Sequence, residues 1–356
     1  MKPTSVGDSP SQLEDLSALV RHELRHPVAH LQVAISMLMA GRFGQLTREG
    51  SQVLGIALEN MDRLMRLARA MEAQPHILHA TLSADQIKVL QLQQDFSTGL
   101  SQGQFYLVYQ PIIAIDTLTI VGFEALARWQ HPQQGSIAPA MFISLAEENG
   151  FIHPLGIRLI EAACHQLRDW QQQFPQLVPL TVSVNISALQ LSDLELVTRI
   201  KQILHSSQLD PHSLKLEITE SALIDNRKVA LEVLQALKQL GVQLYLDDFG
   251  TGYSALARLQ ELPLDTLKID RSFIASQNWV ISEAIVALAA KLGLNVIAEG
   301  IETEDEMNAL RQIGCQYMQG FLFSEPLSAA AASTLLGNTE PRFNRAATQG
   351  LWVPVA

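Results

Sequence analysis

The sequence contains few cysteines, and this scarcity excludes several classes of protein. Only Cys164 and Cys315 occur among 356 residues, far apart, and each lies within an apolar helix-like or strand-like segment. This pattern is typical of buried thiols rather than of a disulfide or a zinc site. We therefore expect no redox chemistry from this chain.

The sequence also lacks long apolar runs. No stretch approaches the roughly 18 apolar residues that a membrane span requires. Residues 1–20 do not show the basic and then apolar order of a signal peptide. These absences predict a cytoplasmic, soluble protein without a membrane span, and the length predicts about two domains.

The net charge of −11 is spread unevenly along the chain. Residues 1–75 contain equal numbers of basic and acidic side chains, so the acidic excess lies after residue 75. An acidic body argues against binding of DNA or RNA. It is compatible with a metal-dependent site, although most surface carboxylates are only solvated charges.

Two amphipathic helical patterns occupy the N-terminal region. Apolar residues recur every three or four positions from Leu13 to Leu38 and again from Leu54 to Met71, on either side of a glycine-containing turn. Apolar stripes (seams) this narrow cannot bury enough surface in an isolated helical hairpin. Residues 12–73 are therefore predicted to be a helical hairpin that dimerises into a four-helix bundle.

The rest of the chain has an alternating pattern. Residues 74–87 show no clear period and are predicted to be a linker, and strand-like segments then alternate with helix-like ones over residues 88–335. This alternation predicts an α/β fold, and its length favours a (β/α)8 TIM-like barrel over a doubly wound sheet. Residues 336–356 show no period and are predicted to be an irregular tail.

Polar side chains recur at or near the ends of seven strand-like segments. In chain order they are Glu124, Asn185, Glu217, Asp247 with Asp248, Lys268, Glu299 and Gln319. A buried strand has no reason to hold a carboxylate unless the charge is paired or binds a metal, and barrel active sites lie at the carboxyl ends of the strands. Each residue alone could equally be a polar core residue or a helix cap, but seven repetitions indicate a site.

The donor atoms at these ends indicate a hard divalent cation. They are oxygen atoms, with neither thiol nor imidazole among them, of Glu124, Asn185, Glu217 and Asp247. Such donors suit Mg²⁺ or Mn²⁺. The adjacent Asp247 and Asp248 could reach two neighbouring ions, an arrangement that supports displacement at phosphorus. Lys268 would then supply positive charge, and Glu299 could accept a proton.

These segments resemble the EAL family of cyclic di-GMP phosphodiesterases. The matching stretches run in family order over roughly residues 88–335: FEALARW, VSVNIS, LEITES, DDFGTGYS, LKID, AEGIET and QGFLFSEP. The resemblance implies hydrolysis of one 3′,5′ phosphodiester of the substrate cyclic di-GMP to linear pGpG. It also implies Mg²⁺ or Mn²⁺ as the cofactor, with two ions.

The resemblance also assigns roles to individual residues. The implied metal ligands are Glu124, Asn185, Glu217, Asp247 and Asp248, and the implied catalytic residues are Glu299 as general base, Lys268 beside the nucleophilic water and Glu124. The implied contacts of the substrate or of the ligands are Gln110, Arg128 and Gln319. Asp270 and Glu302 would support the site, and Glu220 would order the DDFGTGYS loop. Ala255 stands where the family usually has a second serine.

The segment LVRHELRHPVAHL poses a separate question, the role of His22. His22 lies about 200° round the predicted helix from Val20 and from Leu24, so it is expected to be exposed. Three interpretations are open: a solvated histidine, a metal ligand together with His26, or a phosphoacceptor with Glu23 as the adjacent carboxylate.

A second resemblance favours the phosphoacceptor. The stretches HELRHPV and ENMDRLMRLARAME, joined through a G-x-L-T turn, are similar to the dimerisation and phosphoacceptor hairpin of histidine kinases. This resemblance implies a phosphorylated His22 beside Glu23, a homodimer, and a separate histidine kinase or response regulator as partner. His26 replaces the threonine common in that family, so phosphatase activity is not expected. DFGTG also matches a kinase ATP-binding pattern, but that pattern is weak and lies within the barrel series.

Two alternative functions stay open at this point. The barrel could be a receptor that binds cyclic di-GMP without cleaving it and signals through the bundle. The chain could also be a phosphorelay protein that carries the barrel as a passenger.

Overall fold

The computed structural model describes residues 84–177, 180–220, 227–250, 259–337, 343–345 and 352–354. The predicted hairpin of residues 12–73, with His22 and Glu23, lies outside the described residues, as does most of the predicted linker. The chain divides into two compact units, Met1–Leu92 and Gln93–Ala356. Most of the described residues belong to the second unit.

The second unit is built mainly of alternating strands and helices. The strands are β1 (Phe105–Ala114), β2 (Thr119–His131), β3 (Gly135–Ile137), β4 (Thr181–Ile186), β5 (Leu214–Thr219), β6 (Gln243–Phe249), β7 (Thr266–Ile269), β8 (Asn295–Ala298), β9 (Tyr317–Met318), β10 (Phe343–Arg345) and β11 (Trp352–Pro354). The helices are α1 (Ala84–Ser101), which spans the boundary between the units, α2 (Pro139–Glu148), α3 (Ile152–Gln173), α4 (Glu195–Ser207), α5 (Arg227–Gln239), α6 (Arg271–Ala275), α7 (Trp279–Leu292), α8 (Glu304–Gln312) and α9 (Ala329–Gly337).

Eight strands close into a barrel, as the sequence predicts. Their order is β1-β9-β8-β7-β6-β5-β4-β2, and β2 pairs back to β1. Strand β3 lies outside this ring and pairs with the C-terminal end of β2. The neighbours from β2 round to β9 are parallel. Strand β1 differs, because it is antiparallel to both β2 and β9. Residues 115–118 join β1 to β2, and so short a connection permits only an antiparallel pair, since parallel strands need a long crossover.

The helices pack their apolar faces on the outside of the barrel. In α3 the buried positions recur at the helical period, and they include Leu155, Leu159, Ala163, Leu167 and Trp170. The Trp170 indole N–H donates to the Ser333 hydroxyl of α9 at 2.8 Å. The barrel strands are nearly continuous apolar runs, because their outer faces lie under helices and their inner faces fill the barrel.

Helix α1 and the C-terminal tail refine the predicted boundaries. Helix α1 begins at Ala84, inside the predicted linker, and ends at Ser101. In the predicted irregular tail, β10 and β11 pair as a small antiparallel sheet with Arg345 opposite Trp352. Each of these strands has three residues, which is too short for an alternating pattern to show in the sequence.

Two further expectations concern the cysteines and the membrane. Cys164 and Cys315 are both free and buried, as predicted. Within the described part of the chain, no helix combines the length and the apolar character needed to cross a membrane.

Candidate active site

One buried ammonium group lies at the centre of the candidate site. Lys268 on β7 is 0 % exposed, and its Nζ lies 2.5 Å from Glu217 Oε2 and 2.5 Å from Glu299 Oε1. The same Nζ lies 3.1 Å from Asp247 Oδ1 and 3.6 Å from Glu124 Oε2. Four carboxylates from four strand ends therefore converge on a single lysine.

The strand ends place these side chains at one mouth of the barrel. Glu299 and Gln319 follow directly after β8 and β9. Glu124 is an apparent exception, because β2 continues to His131. Its parallel pairing with β4, however, covers only Gly122–Ala125; the rest of the strand pairs with β1 and β3. Glu124 thus lies at the end of the part of β2 that belongs to the parallel sheet.

A chain of hydrogen bonds fixes the Glu124 carboxylate. Asn185 Nδ2 donates to Glu124 Oε1 at 2.9 Å, and Gln319 Nε2 donates to Glu124 Oε2 at 2.5 Å. Gln319 Nε2 also donates to Gln110 Oε1 at 3.0 Å, and Gln110 Nε2 donates to the Ser324 carbonyl at 3.2 Å. Since Asn185 uses its NH₂ group for Glu124, its carbonyl oxygen is left as a ligand atom.

A bulge brings two neighbouring carboxylates to the same place. The register between β6 and β7 shifts between Leu246 and Phe249, and Asp248 has a left-handed φ of 54°. In a regular strand adjacent side chains point to opposite faces, and a bulge removes that alternation. Carboxylate oxygens of Asp247, Asp248 and Glu299 accordingly lie within 4.8 Å of one another.

Burial and mutual repulsion shift the protonation of the acidic groups. Burial, with the negative charge of Glu124, raises the pKa of Glu217 well above its ordinary value. Burial raises the pKa of Glu299 to about 8, although Lys268 opposes the change. Burial and the neighbouring Asp247 raise the pKa of Asp248 to about 6. The site therefore carries more carboxylates than its own positive charge can stabilise.

Two other groups are held in their charged forms. Burial by itself would raise the pKa of Glu124, but Lys268 and the hydrogen bonds from Gln319 and Asn185 lower it. Burial by itself would lower the pKa of Lys268, but the four carboxylates raise it well above its usual range. Glu124 and Lys268 thus remain an ion pair around neutral pH.

The donor set fits a hard divalent cation. The carboxylates of Glu124, Glu217, Asp247 and Glu299 lie within 3.6 Å of the Lys268 ammonium, and that of Asp248 lies beside Asp247 and Glu299. Glu217 Oε1 is buried and receives no hydrogen bond from the described residues, so this acceptor atom bears its full desolvation cost. Carboxylate and amide oxygens are the ligands that Mg²⁺ and Mn²⁺ prefer.

A cleft of about 670 Å³ opens over the cluster. Its floor includes Gln110, Glu124, Asp247, Glu299 and Gln319. A cavity of this size is in the range of small-molecule sites.

Comparison with known proteins identifies the family. The EAL domain family matches residues 91–326 of the chain. This chain belongs to the EAL domain family. The predicted resemblance to that family is thereby confirmed, whereas the resemblance of residues 12–73 to histidine kinases stays a prediction.

Similar proteins include named phosphodiesterases. The chain is 43 % identical over 252 residues to the cyclic di-GMP phosphodiesterase NbdA of Pseudomonas aeruginosa, covering 69 % of this chain and 32 % of NbdA. It is 42 % identical over 249 residues to the cyclic di-GMP phosphodiesterase PdeR of Escherichia coli, covering 68 % and 37 %. The chain thus spans about a third of the length of these curated relatives. The solved structure of the PaMucR phosphodiesterase in complex with c-di-GMP is 40 % identical with a TM-score of 0.64, covering 68 % of this chain and 99 % of that one.

Two other predicted residues of the EAL domain, Asp270 and Glu302, lie near this centre. Asp270 caps α6 by accepting from the Ser272 N–H at 3.0 Å, and it also adjoins Asp248. Glu302 lines the cleft, and its backbone N–H donates to Glu306 Oε2 at 2.8 Å. The supporting roles that the family resemblance implies for Asp270 and Glu302 stay predictions.

Arg128 does not line the cleft of the EAL domain, and the role of Glu220 stays a prediction. The Arg128 guanidinium donates to the Ala127 carbonyl at 2.8 Å, and Arg128 is not among the residues that line the cleft. Glu220 follows β5, but residues 251–258 of the loop that it is expected to order lie outside the described residues, and Ala255 lies among them.

The cleft of the EAL domain includes residues that the sequence analysis did not name, among them two charged residues and one aromatic residue. Arg271, Glu306 and Phe321 line the cleft, and Phe321 is 57 % exposed. Arg271 and Phe321 stand directly beyond strand-end motifs, which was the available signal. Glu306 forms a capping box with Thr303 at the start of α8, and the T-x-x-E spacing could have revealed it.

Proposed function

We propose that the EAL domain hydrolyses one 3′,5′ phosphodiester bond of cyclic di-GMP and releases linear pGpG. The observation that carries this proposal is the convergence of four carboxylates on Lys268 at the mouth of the barrel, with the carboxylate of Asp248 beside them. The names of NbdA and PdeR, and the c-di-GMP in the PaMucR complex, support the same substrate.

The proposed cofactor is Mg²⁺ or Mn²⁺, with two ions. The residues that would hold it are Glu124, Asn185, Glu217, Asp247 and Asp248. When bound, the ions would lower the pKa of a water molecule and offset the negative charge of the phosphate.

Proton transfer is assigned to Glu299. The oxygen of the attacking water forms a bond to phosphorus, the bond between phosphorus and O3′ breaks, and the water proton passes by way of Glu299 to the leaving oxygen. A group with a pKa of about 8 can hold and release a proton near neutral pH.

Lys268 and the amide network are assigned to electrostatics and positioning. Because Lys268 is fixed among carboxylates before substrate arrives, its charge needs no reorganisation as negative charge develops on the phosphate. Gln319 and Asn185 hold the two oxygens of Glu124 in place. Arg271 at the rim of the cleft offers a second positive charge to the substrate.

Product analysis tests this function. Purified protein with Mg²⁺ or Mn²⁺ is expected to convert cyclic di-GMP to pGpG, as measured by chromatography. Glu299→Gln is expected to lower the rate by about 100-fold or more, the usual contribution of general acid–base catalysis. Glu283→Gln makes the same change at an exposed carboxylate of α7 and should leave the rate unchanged.

The receptor alternative makes the opposite prediction in the same assay. Tight binding of cyclic di-GMP by the wild-type protein without any linear product would overturn the enzyme proposal. An activity that Glu299→Gln leaves at the wild-type rate would overturn the role of Glu299 alone.

We also propose that the chain is a cytoplasmic homodimer regulated through residues 12–73. The narrow helical seams and the HELRHPV motif support it. Phosphorylation of His22 by a separate kinase, or docking of a response regulator, would change the dimer geometry and hence the hydrolysis rate. If His22→Ala matches the wild type in activity and in its response to every candidate partner, this regulation is refuted.

A further inference from the structure

We infer that Gln190, whose side chain packs against Gly156, is a positioning residue for the cation ligand Asn185. This inference rests on the proposed function in one respect only, since it takes Asn185 as a ligand. Asn185 is exposed and is the second-last residue of β4. Its side chain is held by the bond to Glu124 rather than by burial, and its backbone is held by pairing with β5 and by the turn that follows the strand.

Gln190 stabilises that turn through two hydrogen bonds to Ser187, one from its backbone and one to its side chain. The Ser187 N–H donates to the Gln190 side-chain oxygen Oε1 at 3.1 Å, and the Gln190 N–H donates to the Ser187 carbonyl at 3.1 Å. Ser187 is two residues beyond Asn185, so this ring of bonds holds the peptide where β4 ends. The Ser187 hydroxyl also donates to Glu147 Oε1 of α2 at 2.5 Å, which fixes the turn to a second element.

The Gln190 side chain is in turn held by α3. It is 2 % exposed, and its amide packs against α3 at Gly156. A methyl group on Gly156 would lie 2.8 Å from Gln190 Cδ and would overlap the amide nitrogen. Gly156 has no positive φ that would require glycine, so the need for glycine at this position is steric. Together, Gly156 and Gln190 connect the packing of α3 to the location of the Asn185 amide.

The test measures Mn²⁺ affinity in the whole chain. Gln190→Ala removes the acceptor for the Ser187 N–H, and Gly156→Ala displaces the amide without changing its chemistry. Each is expected to weaken Mn²⁺ binding roughly 10-fold, the usual effect of losing a partner that orients a ligand. The free ion is measured by electron paramagnetic resonance, and the folded fraction by circular dichroism.

The double variant distinguishes positioning from general destabilisation. With Ala at position 190 the methyl group at position 156 meets no amide, so Gly156→Ala should have no further effect on Mn²⁺ affinity in that background. Gly337→Ala, whose added methyl group would make an ordinary 3.5 Å contact with Phe174, should bind Mn²⁺ like the wild type.

Two results would overturn the inference. One is a loss of thermal stability in the single variants with wild-type Mn²⁺ affinity, which shows a merely structural role. The other is a wild-type protein that binds no Mn²⁺, because Asn185 is then not a ligand. A wild type that binds Mn²⁺ but does not cleave cyclic di-GMP refutes the proposed function and leaves this inference in place.

Discussion

At the scale of single residues, the candidate site is an excess of negative charge around one lysine. Lys268 stabilises part of that charge, and the remainder raises the pKa of Glu217, Glu299 and Asp248. Buried carboxylates with raised pKa values cluster at functional sites, because a folded core without a function would have little reason to retain them.

The raised pKa values predict how cation binding depends on pH. Protonation of Glu299 removes a negative charge beside the cation site, and a protonated Asp248 cannot bind Mn²⁺, so affinity should weaken as the pH falls from 8.5 through about 8 and again through about 6. Calorimetry in buffers of different ionisation heat should show protons released on binding at pH 7.

The matched control for this prediction is Asp248→Asn. This variant should show a smaller change of Mn²⁺ affinity with pH near pH 6, and the same change as the wild type near pH 8. An affinity that stays constant between pH 5.5 and 8.5 would contradict the assignment of Asp248 to the cation site and the position of Glu299 beside it.

At the scale of elements, the decisive feature is the bulge at the end of β6. It turns two consecutive aspartates toward one cluster, and it does so by placing Asp248 at a left-handed φ of 54°. That region costs a non-glycine residue about 1–2 kcal/mol. The β6 strand therefore accepts backbone strain at the position where a second carboxylate is presented, as functional sites often do.

The strain predicts an order of stability between two variants. Asp248→Gly and Asp248→Ala remove the same carboxylate, but only glycine adopts a left-handed φ freely. In the presence of EDTA, the glycine variant should be more stable than the alanine variant by about 1 kcal/mol in urea unfolding. Both should lose Mn²⁺ affinity to the same extent.

Ser136 on β3 provides the control for this pair. It is exposed and does not have a positive φ, so the Ser136→Gly protein should be less stable than the Ser136→Ala protein. If alanine is also the more stable residue at position 248, the left-handed conformation is not present in solution.

At the scale of the whole molecule, the buried charge should lower the stability of the cation-free protein. The folded-state pKa of Glu217 lies well above its ordinary value of 4.5. As the pH rises above that value, the unfolded chain releases the Glu217 proton while the folded protein retains it. The unfolded state is then favoured, so stability falls with rising pH until the folded-state pKa is reached.

Glu217→Gln should therefore stabilise the cation-free protein. In EDTA its melting temperature should exceed that of the wild type at pH 8, and the difference should shrink toward pH 4.5. In excess Mn²⁺ the order should reverse, because the variant has lost a ligand and gains less from binding. Glu283→Gln should follow the wild type throughout, and an equal response of both variants would refute the role of Glu217.

The sequence by itself determined the features that depend on local periodicity. Strand and helix patterns predict the barrel, and the positions of Glu124, Asn185, Glu217, Asp247 and Glu299 predict where its site lies. These follow from residue spacing, since every parallel strand brings its carboxyl end to the same mouth.

Only the tertiary structure decided the features that depend on closure of the barrel. These include the antiparallel β1, the central position of Lys268, the placement of Arg271 and Phe321 along the cleft, and the packing of Gln190 against Gly156. Each results from contacts between residues that are distant in the chain, and periodicity carries no information about such distances. The physical reason is that local patterns specify the direction of a side chain, whereas packing of the whole barrel specifies its neighbours.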